Sequence, residues 1–251
     1  MMPLNIYSRS KRNIANEFYR ENIVKVSVEE LIGPLNEIEK KYAPSWLYIA
    51  GNRRIAEISP RVSVIGSRHP SEEGLKNSQN LVERLVKRNV VIVSGLALGI
   101  DTIAHKTAIS NGGKTIAVLG TPLNQFYPKE NYNLQKEIIR NHLAISQFPS
   151  GYPIRPKNFP IRNRTMALIS NASIIVEAGD TSGSLHQGWE ALRLGRPLLI
   201  IDTILNNKKL KWPHEMIKYG AKTLSIKEIE SLLDILPPFG TKVDISVTLY
   251  A

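Results

Sequence analysis

A chain of 251 residues with 42% hydrophobic content can bury a full core, as one large domain or one large and one small, which excludes a disordered tail. Its 33 Lys and Arg against 22 Asp and Glu leave a formal charge of +11, so a polyanion is the expected partner unless the charge only reflects a generally basic composition. The absence of cysteine excludes disulfides, thiolate zinc sites and cysteine nucleophiles, and makes a reducing cytoplasm the expected compartment.

The first residues carry Arg9, Lys11 and Arg12 with no apolar run behind them, and no stretch reaches the ~18 apolar residues of a membrane span. Neither a secretory leader nor a membrane partner is expected. Residues 11–42 read as helical with an interruption at Ser27, which with Glu30 has the spacing of a capping box. Residues 46–50 read as an extra strand entering the turn Gly51-Asn52, so residues 1–50 are expected as a short helical N-terminal extension. Over residues 51–236 short apolar runs alternate with amphipathic stretches, the pattern of a parallel sheet with helices on both faces. Strands are expected at 62–65, 90–93, 115–119, 143–146, 173–176, 197–201 and 222–224. Helices are expected at 71–88, 100–110, 131–140, 162–170, 184–194 and 213–218, and a last one at 225–236. The predicted fold is α/β, an extended Rossmann-like, doubly wound, mostly parallel sheet. Pro237, Pro238 and Gly240 end the last helix, and the remaining tail to residue 251 reads as an edge strand.

Two apolar runs enter glycine- and serine-containing turns: Val62-Ser63-Val64-Ile65 before Gly66-Ser67-Arg68, and Ile174-Ile175-Val176-Glu177 before the turn ending in Gly183-Ser184. Such turns expose backbone N–H groups at the start of the next helix, where the dipole favours an anion, and two of them predict a phosphate-reading cleft. Gly66 would admit close backbone approach, Ser67 would offer its hydroxyl and Arg68 would clamp a phosphate; the competing reading is an ordinary turn with a solvated arginine. Gly183 and Ser184 open a helix at the carboxyl edge of a strand, where open α/β sheets bind ligands, although a plain serine cap has the same sequence. The first turn is not GxGxxG, and Ser94-Gly95 follows the second strand where a ribose-binding acid would stand. A nicotinamide dinucleotide is thus disfavoured, and no cofactor is expected.

Asp101 and His105 share one helix face, a spacing that a metal or acid–base pair would use. No other histidine or carboxylate lies close in sequence, so a dipole-compensating aspartate with a packed histidine is the adopted reading, and neither a metal site nor a catalytic residue is expected. Tyr127-Pro128, in the exit from the third strand, walls a cleft or merely braces a loop. The densest chemistry is the stretch 156–164, where Lys157, Arg162 and Arg164 would neutralise phosphates and Phe159 would offer a stacking face beside Asn163.

Taken in order, the Val-Ile-Gly-Ser-Arg turn, the run from Ser94 to His105, Thr-Ile-Ala-Val-Leu-Gly, Phe-Pro-Ile-Arg-Asn-Arg and Ser-Gly-Ser-Leu resemble the DprA/Smf family of DNA-processing proteins. The resemblance implies a Rossmann-like core that binds single-stranded DNA without sequence preference, protects strands in recombination or natural transformation, helps load the RecA recombinase and forms a homodimer. It places the family's phosphate pocket on Gly66, Ser67 and Arg68, its basic-aromatic stretch on Lys157, Phe159, Arg162, Asn163 and Arg164, and its second glycine turn on Gly183 and Ser184. The sequence departs from the family at Ser146-Gln147, where members often carry Ser-Glu, and leaves no room for a winged helix after residue 210. The alternative within the superfamily is a nucleotide sensor or a phosphoribohydrolase-like enzyme, but Gln187 stands where such enzymes carry a catalytic glutamate, and an amide cannot serve as general acid or base.

Overall fold

The computed structural model describes residues 23–58, 60–229 and Leu236. The expected tail strand, the last helix beyond Ile229 and the part of the N-terminal extension before residue 23 lie outside the described residues.

The strands are β1 (Val24–Val26), β2 (Leu47–Gly51), β3 (Arg61–Gly66), β4 (Val91–Ser94), β5 (Thr115–Leu119), β6 (Leu143–Ser146), β7 (Ala172–Glu177), β8 (Leu198–Ile201) and β9 (Lys222–Leu224). They form one nine-stranded sheet in the order β1-β2-β6-β5-β4-β3-β7-β8-β9. Among the described strands, only β1 with β2 and β2 with β6 pair antiparallel. Strands β4, β5, β6 and β8 are buried along their whole length, which is why each reads as an unbroken apolar run.

Helices α1 (Val28–Ile32), α2 (Glu37–Tyr42), α6 (Asn158–Ile169), α7 (Ser184–Arg193) and α8 (Trp212–Lys218) supply one covering layer, with Met166, Leu168, Ala191 and Met216 in its core. On the other face lie α3 (Glu72–Lys87) and α4 (Ile100–Ser110), centred on Leu81, Leu85 and Ala104, and α5 (Tyr132–Asn141), centred on Ile138. The sheet is therefore doubly wound, as expected.

The N-terminal segment differs from its helical reading. Val24–Val26 is a strand, and β2 hydrogen-bonds to β6, so the described part of this segment extends the sheet. The Ser27 capping box does form: Glu30 N–H donates to Ser27 Oγ at 3.1 Å and Ser27 N–H to Glu30 Oε2 at 2.7 Å. A second box, Asn36 with Glu39, starts α2. Glu39 also pairs with Arg196, both side chains nearly buried, and this ties α2 to the loop before β8. Helix α6 begins four residues before its expected start at Arg162 and takes in Pro160. Proline is tolerated there because first-turn N–H groups have no partner within the helix.

Candidate functional site

Strand order reverses about β3: β4, β5 and β6 are laid down to one side, and β7, β8 and β9 to the other. Crevices outside the carboxyl ends of strands at such a reversal are the ligand sites of open α/β sheets. A cavity of about 470 Å³ opens there. It is lined by Gly66, Ser67 and Arg68 after β3, by Phe159, Arg162 and Asn163 on α6, and by Gly183 and Ser184 at the start of α7. Sequence segments more than a hundred residues apart thus share one wall.

The two turns play different parts. Helix α3 starts only after Ser71, so Gly66-Ser67-Arg68 does not itself form a helix N-terminus. Ser67 N–H donates to the Glu177 carbonyl at 2.7 Å and is not offered to a ligand. A Cβ on Gly66 would lie 2.7 Å from the Ile100 side chain and 2.8 Å from the Glu177 carbonyl, so glycine is needed there for packing of β3 against α4 and β7. The exposed Arg68 is what this turn presents to the cavity. At the second turn, a Cβ on Gly183 would meet nothing within 4 Å, and α7 begins directly after it. Its first N–H groups are already engaged, Ser184 N–H with Ser182 Oγ at 3.4 Å, Leu185 N–H with the Ser182 carbonyl at 3.1 Å and His186 N–H with the Gly183 carbonyl at 3.3 Å, so what this turn offers an anion is the positive end of the α7 dipole.

Arg162 is 5% exposed and donates to the carbonyls of Gly95 and, at 2.8 Å, Val118, and to Asn163 Oδ1 at 2.9 Å. Asn163 Nδ2 in turn donates to the Gly183 carbonyl at 3.0 Å. This chain of bonds joins the ends of β4 and β5 to the start of α7. Burial pushes the Arg162 guanidinium below its ordinary range, Asp101 opposes that shift and Arg68 adds to it. Burial likewise raises the Asp101 carboxyl, against the pull of Arg162 and of the Ala97 N–H 3.3 Å from Oδ2. Arg162 and Asn163 therefore act mainly as positioning residues, and Arg68 is the solvent-facing cation of the cavity.

Two glycines that the sequence reading did not connect with the site make room for it. A Cβ on Gly95 would fall 2.0 Å from Arg162 Nη1, and one on Gly120 would fall 2.7 Å from the Phe159 ring. Only bare backbone at the ends of β4 and β5 lets these α6 side chains lie across the sheet edge. Gln147 accepts a hydrogen bond from the Thr165 hydroxyl at 2.6 Å and so braces α6.

The structure places two of the expected site residues elsewhere. Lys157 is exposed at the start of α6, outside the cavity lining. Arg164 points to the other side of α6, with Nε 3.4 Å from Glu190 Oε2 and its guanidinium 5.9 Å from the Tyr42 ring centre. His105 is fully buried and burial pushes its pKa down to about 3. The Thr115 hydroxyl donates to the Ile92 carbonyl at 2.8 Å, so it accepts from His105 Nδ1–H at 2.7 Å. His105 is a packed neutral residue, as the sequence reading held. Asp101, read there as a cap, also lines the cavity.

Residues 25–236 match the family model described as DNA recombination-mediator protein A. The chain belongs to this recombination-mediator family. Within the family it is 40% identical over 183 residues to DNA processing protein DprA of Streptococcus pneumoniae, covering 73% of this chain and 64% of that protein. It is 36% identical over 194 residues to protein Smf of Escherichia coli, covering 77% of this chain and 51% of that one. The chain thus spans less than two thirds of either relative's length. Among solved structures of the family, DprA of S. pneumoniae superposes with a TM-score of 0.72 at 35% identity, over 86% of this chain and 76% of that one. DNA processing protein A of Helicobacter pylori, described with a single-stranded DNA binding mode, gives 0.73 at 27% identity, over 86% and 97%. Outside the family, a molybdenum cofactor binding protein of Rippkaea orientalis shares the fold alone, with a TM-score of 0.52 at 18% identity over 70% of this chain and 96% of that one.

Proposed function

We propose that this chain binds single-stranded DNA without sequence preference, through Arg68, Phe159 and the Gly183-Ser184 helix start in the cavity and through Lys157 exposed outside it at the start of α6, with Arg162 and Asn163 bracing the cavity wall. The observation that carries the reading is the cavity at the strand reversal, where an exposed arginine, the start of a helix and one aromatic ring converge. These groups grip phosphate and a π-face, and neither reads base edges. The binding mode described for the H. pylori relative, which aligns over 86% of this chain, supports the same ligand. Strand protection, assistance to RecA loading, a homodimeric state and a cytoplasmic setting belong to this proposal by family membership. Among the described residues no helix is long and apolar enough to cross a membrane.

The role is one of binding rather than catalysis. Gln187 lines the cavity where the related hydrolases would need a carboxylate, and Glu190 is held by Arg164 and Arg193. The second reading, a small-nucleotide sensor, is favoured by one observation: about 470 Å³ is the size of a small-ligand pocket. Titration of labelled oligonucleotides at several salt concentrations separates the two. Single strands should bind with log K falling linearly in log salt, and Arg68→Ala and Lys157→Ala should each flatten that slope by about one unit while the fold survives. Comparable binding to duplex, a flat salt profile, or parental binding by both variants would count against the proposal. Release of free base from a nucleoside monophosphate would instead favour an enzyme.

A further inference from the structure

Beside the main cavity lies a slot of about 60 Å³, and Arg68, Ala97, Phe159 and Arg162 line both. The slot has apolar walls from Leu96, Leu98 and Leu119 and is bounded on its outer side by Tyr127. Tyr127 is 45% exposed, and its centroid lies 5.6 Å from that of Phe159 at a 45° tilt. Phe159 in turn has the Arg68 guanidinium 5.9 Å from its centroid. The Phe159 ring thus meets Arg68, Tyr127 and Arg162, the last with its guanidinium 6.0 Å from the ring centre. The exposure of Tyr127 leaves part of its ring open to solvent on the outer side.

The loop carrying Tyr127 is fixed from below. Asn131 Nδ2 donates to the Leu96 carbonyl at 2.9 Å, and Gln135 Nε2 to the Leu123 carbonyl at 3.1 Å. The ring is therefore presented without the ordering cost that a mobile loop would add on binding. The slot is too small to enclose a nucleobase, so a base can lie against the ring but cannot have its edge read.

We propose that Tyr127 is a second stacking platform for the bound strand, taking the face of the nucleobase next to the one on Phe159, so that the DNA leaves the cavity over the loop after β5. This rests on the function proposed above and adds a direction of travel and a residue to it.

The test measures anisotropy of labelled oligo-dT, intact or with single abasic residues placed along it, against the parent chain, Tyr127→Ala, Tyr127→Leu and Tyr127→Phe. Loss of one stacked base predicts at least about fivefold, and up to about 150-fold, weaker binding for Tyr127→Ala and Tyr127→Leu, and binding within about twofold of parent for Tyr127→Phe. The salt slope should not change, because no phosphate contact is removed. One abasic position that weakens the parent should have no further effect on Tyr127→Ala. Parental affinity in Tyr127→Ala, or equal losses on intact and abasic strands, overturns the slot while the functional reading stands. If the parent chain shows no salt-dependent binding of single strands at all, the functional reading fails and the slot with it.

Discussion

Gly120→Ala should separate ligand binding from stability. The position has no left-handed backbone requirement, so the only cost of a methyl group is space. An added Cβ would stand 2.7 Å from Phe159 Cδ1 and 2.9 Å from Cε1, about 1 Å inside ordinary carbon contact. If the ring were locked, overpacking of this kind would cost about 1–3 kcal/mol of stability. Phe159 is only half-buried and borders the cavity, so it can swing outward. The stability cost should then stay below about 1 kcal/mol. The ring leaves its stacking position, however, and losing one stacked base is worth about 1–3 kcal/mol of binding, or roughly five- to 150-fold. The assay is an oligo-dT titration of the parent, Gly120→Ala, Phe159→Ala and the double variant at one salt concentration, with thermal unfolding of each. Because both changes act on the same ring, their binding losses should not add. Parental binding by Gly120→Ala, or additive losses in the double variant, would refute the assignment of Gly120 as the seat of Phe159.

Arg162→Met should lower stability by about 1–3 kcal/mol in urea unfolding, since it strips the donor shared by the Gly95 and Val118 carbonyls and removes the positive charge that offsets the burial of Asp101. Arg68→Ala, on the exposed turn, should stay within about 0.5 kcal/mol of parent; equal stability of the two variants would remove the positioning role of Arg162. His105 stays neutral in the fold down to about pH 3, whereas the unfolded chain takes up its proton below ~6.5, so the unfolded state binds more protons between these values. Its contribution is complete above ~6.5 and declines as pH falls, by about 2 kcal/mol at pH 5. Asp101, raised by burial, shifts the other way, so the measurement is the difference between parent and His105→Gln in urea unfolding from pH 7 to 5; an unchanged pH slope would show that His105 titrates in the fold.

Strands were legible wherever burial on both faces left an apolar run between turn residues. The expected 115–119 and 143–146 coincide with β5 and β6. The Ser27 capping box was legible because its partners are three residues apart. Val24–Val26 was not, because a three-residue edge strand exists only through its pairing with β2. The residue types of the site were also local information: an arginine after a glycine-serine turn, a basic stretch around Phe159, and a glycine before a helix all state their chemistry in a few letters. Their division of labour was not. Arg162 and Arg164 stand two residues apart on a helix, roughly 200° around its axis, so one enters the sheet edge while the other meets Glu190 and Tyr42. Which of them faces the cavity depends on how α6 is docked against the sheet. Ser67 N–H looked open because the acceptor that occupies it, the Glu177 carbonyl, is brought alongside only when β7 pairs with β3. Gly95 and Gly120 are unremarkable turn glycines until α6 lies across them. The sequence by itself therefore determined the fold class and a positive charge suited to a polyanion, since burial pattern and charge are carried by each residue and its near neighbours; the tertiary structure alone decided which side chains face the cavity and which are occupied elsewhere, since that depends on partners from distant parts of the chain.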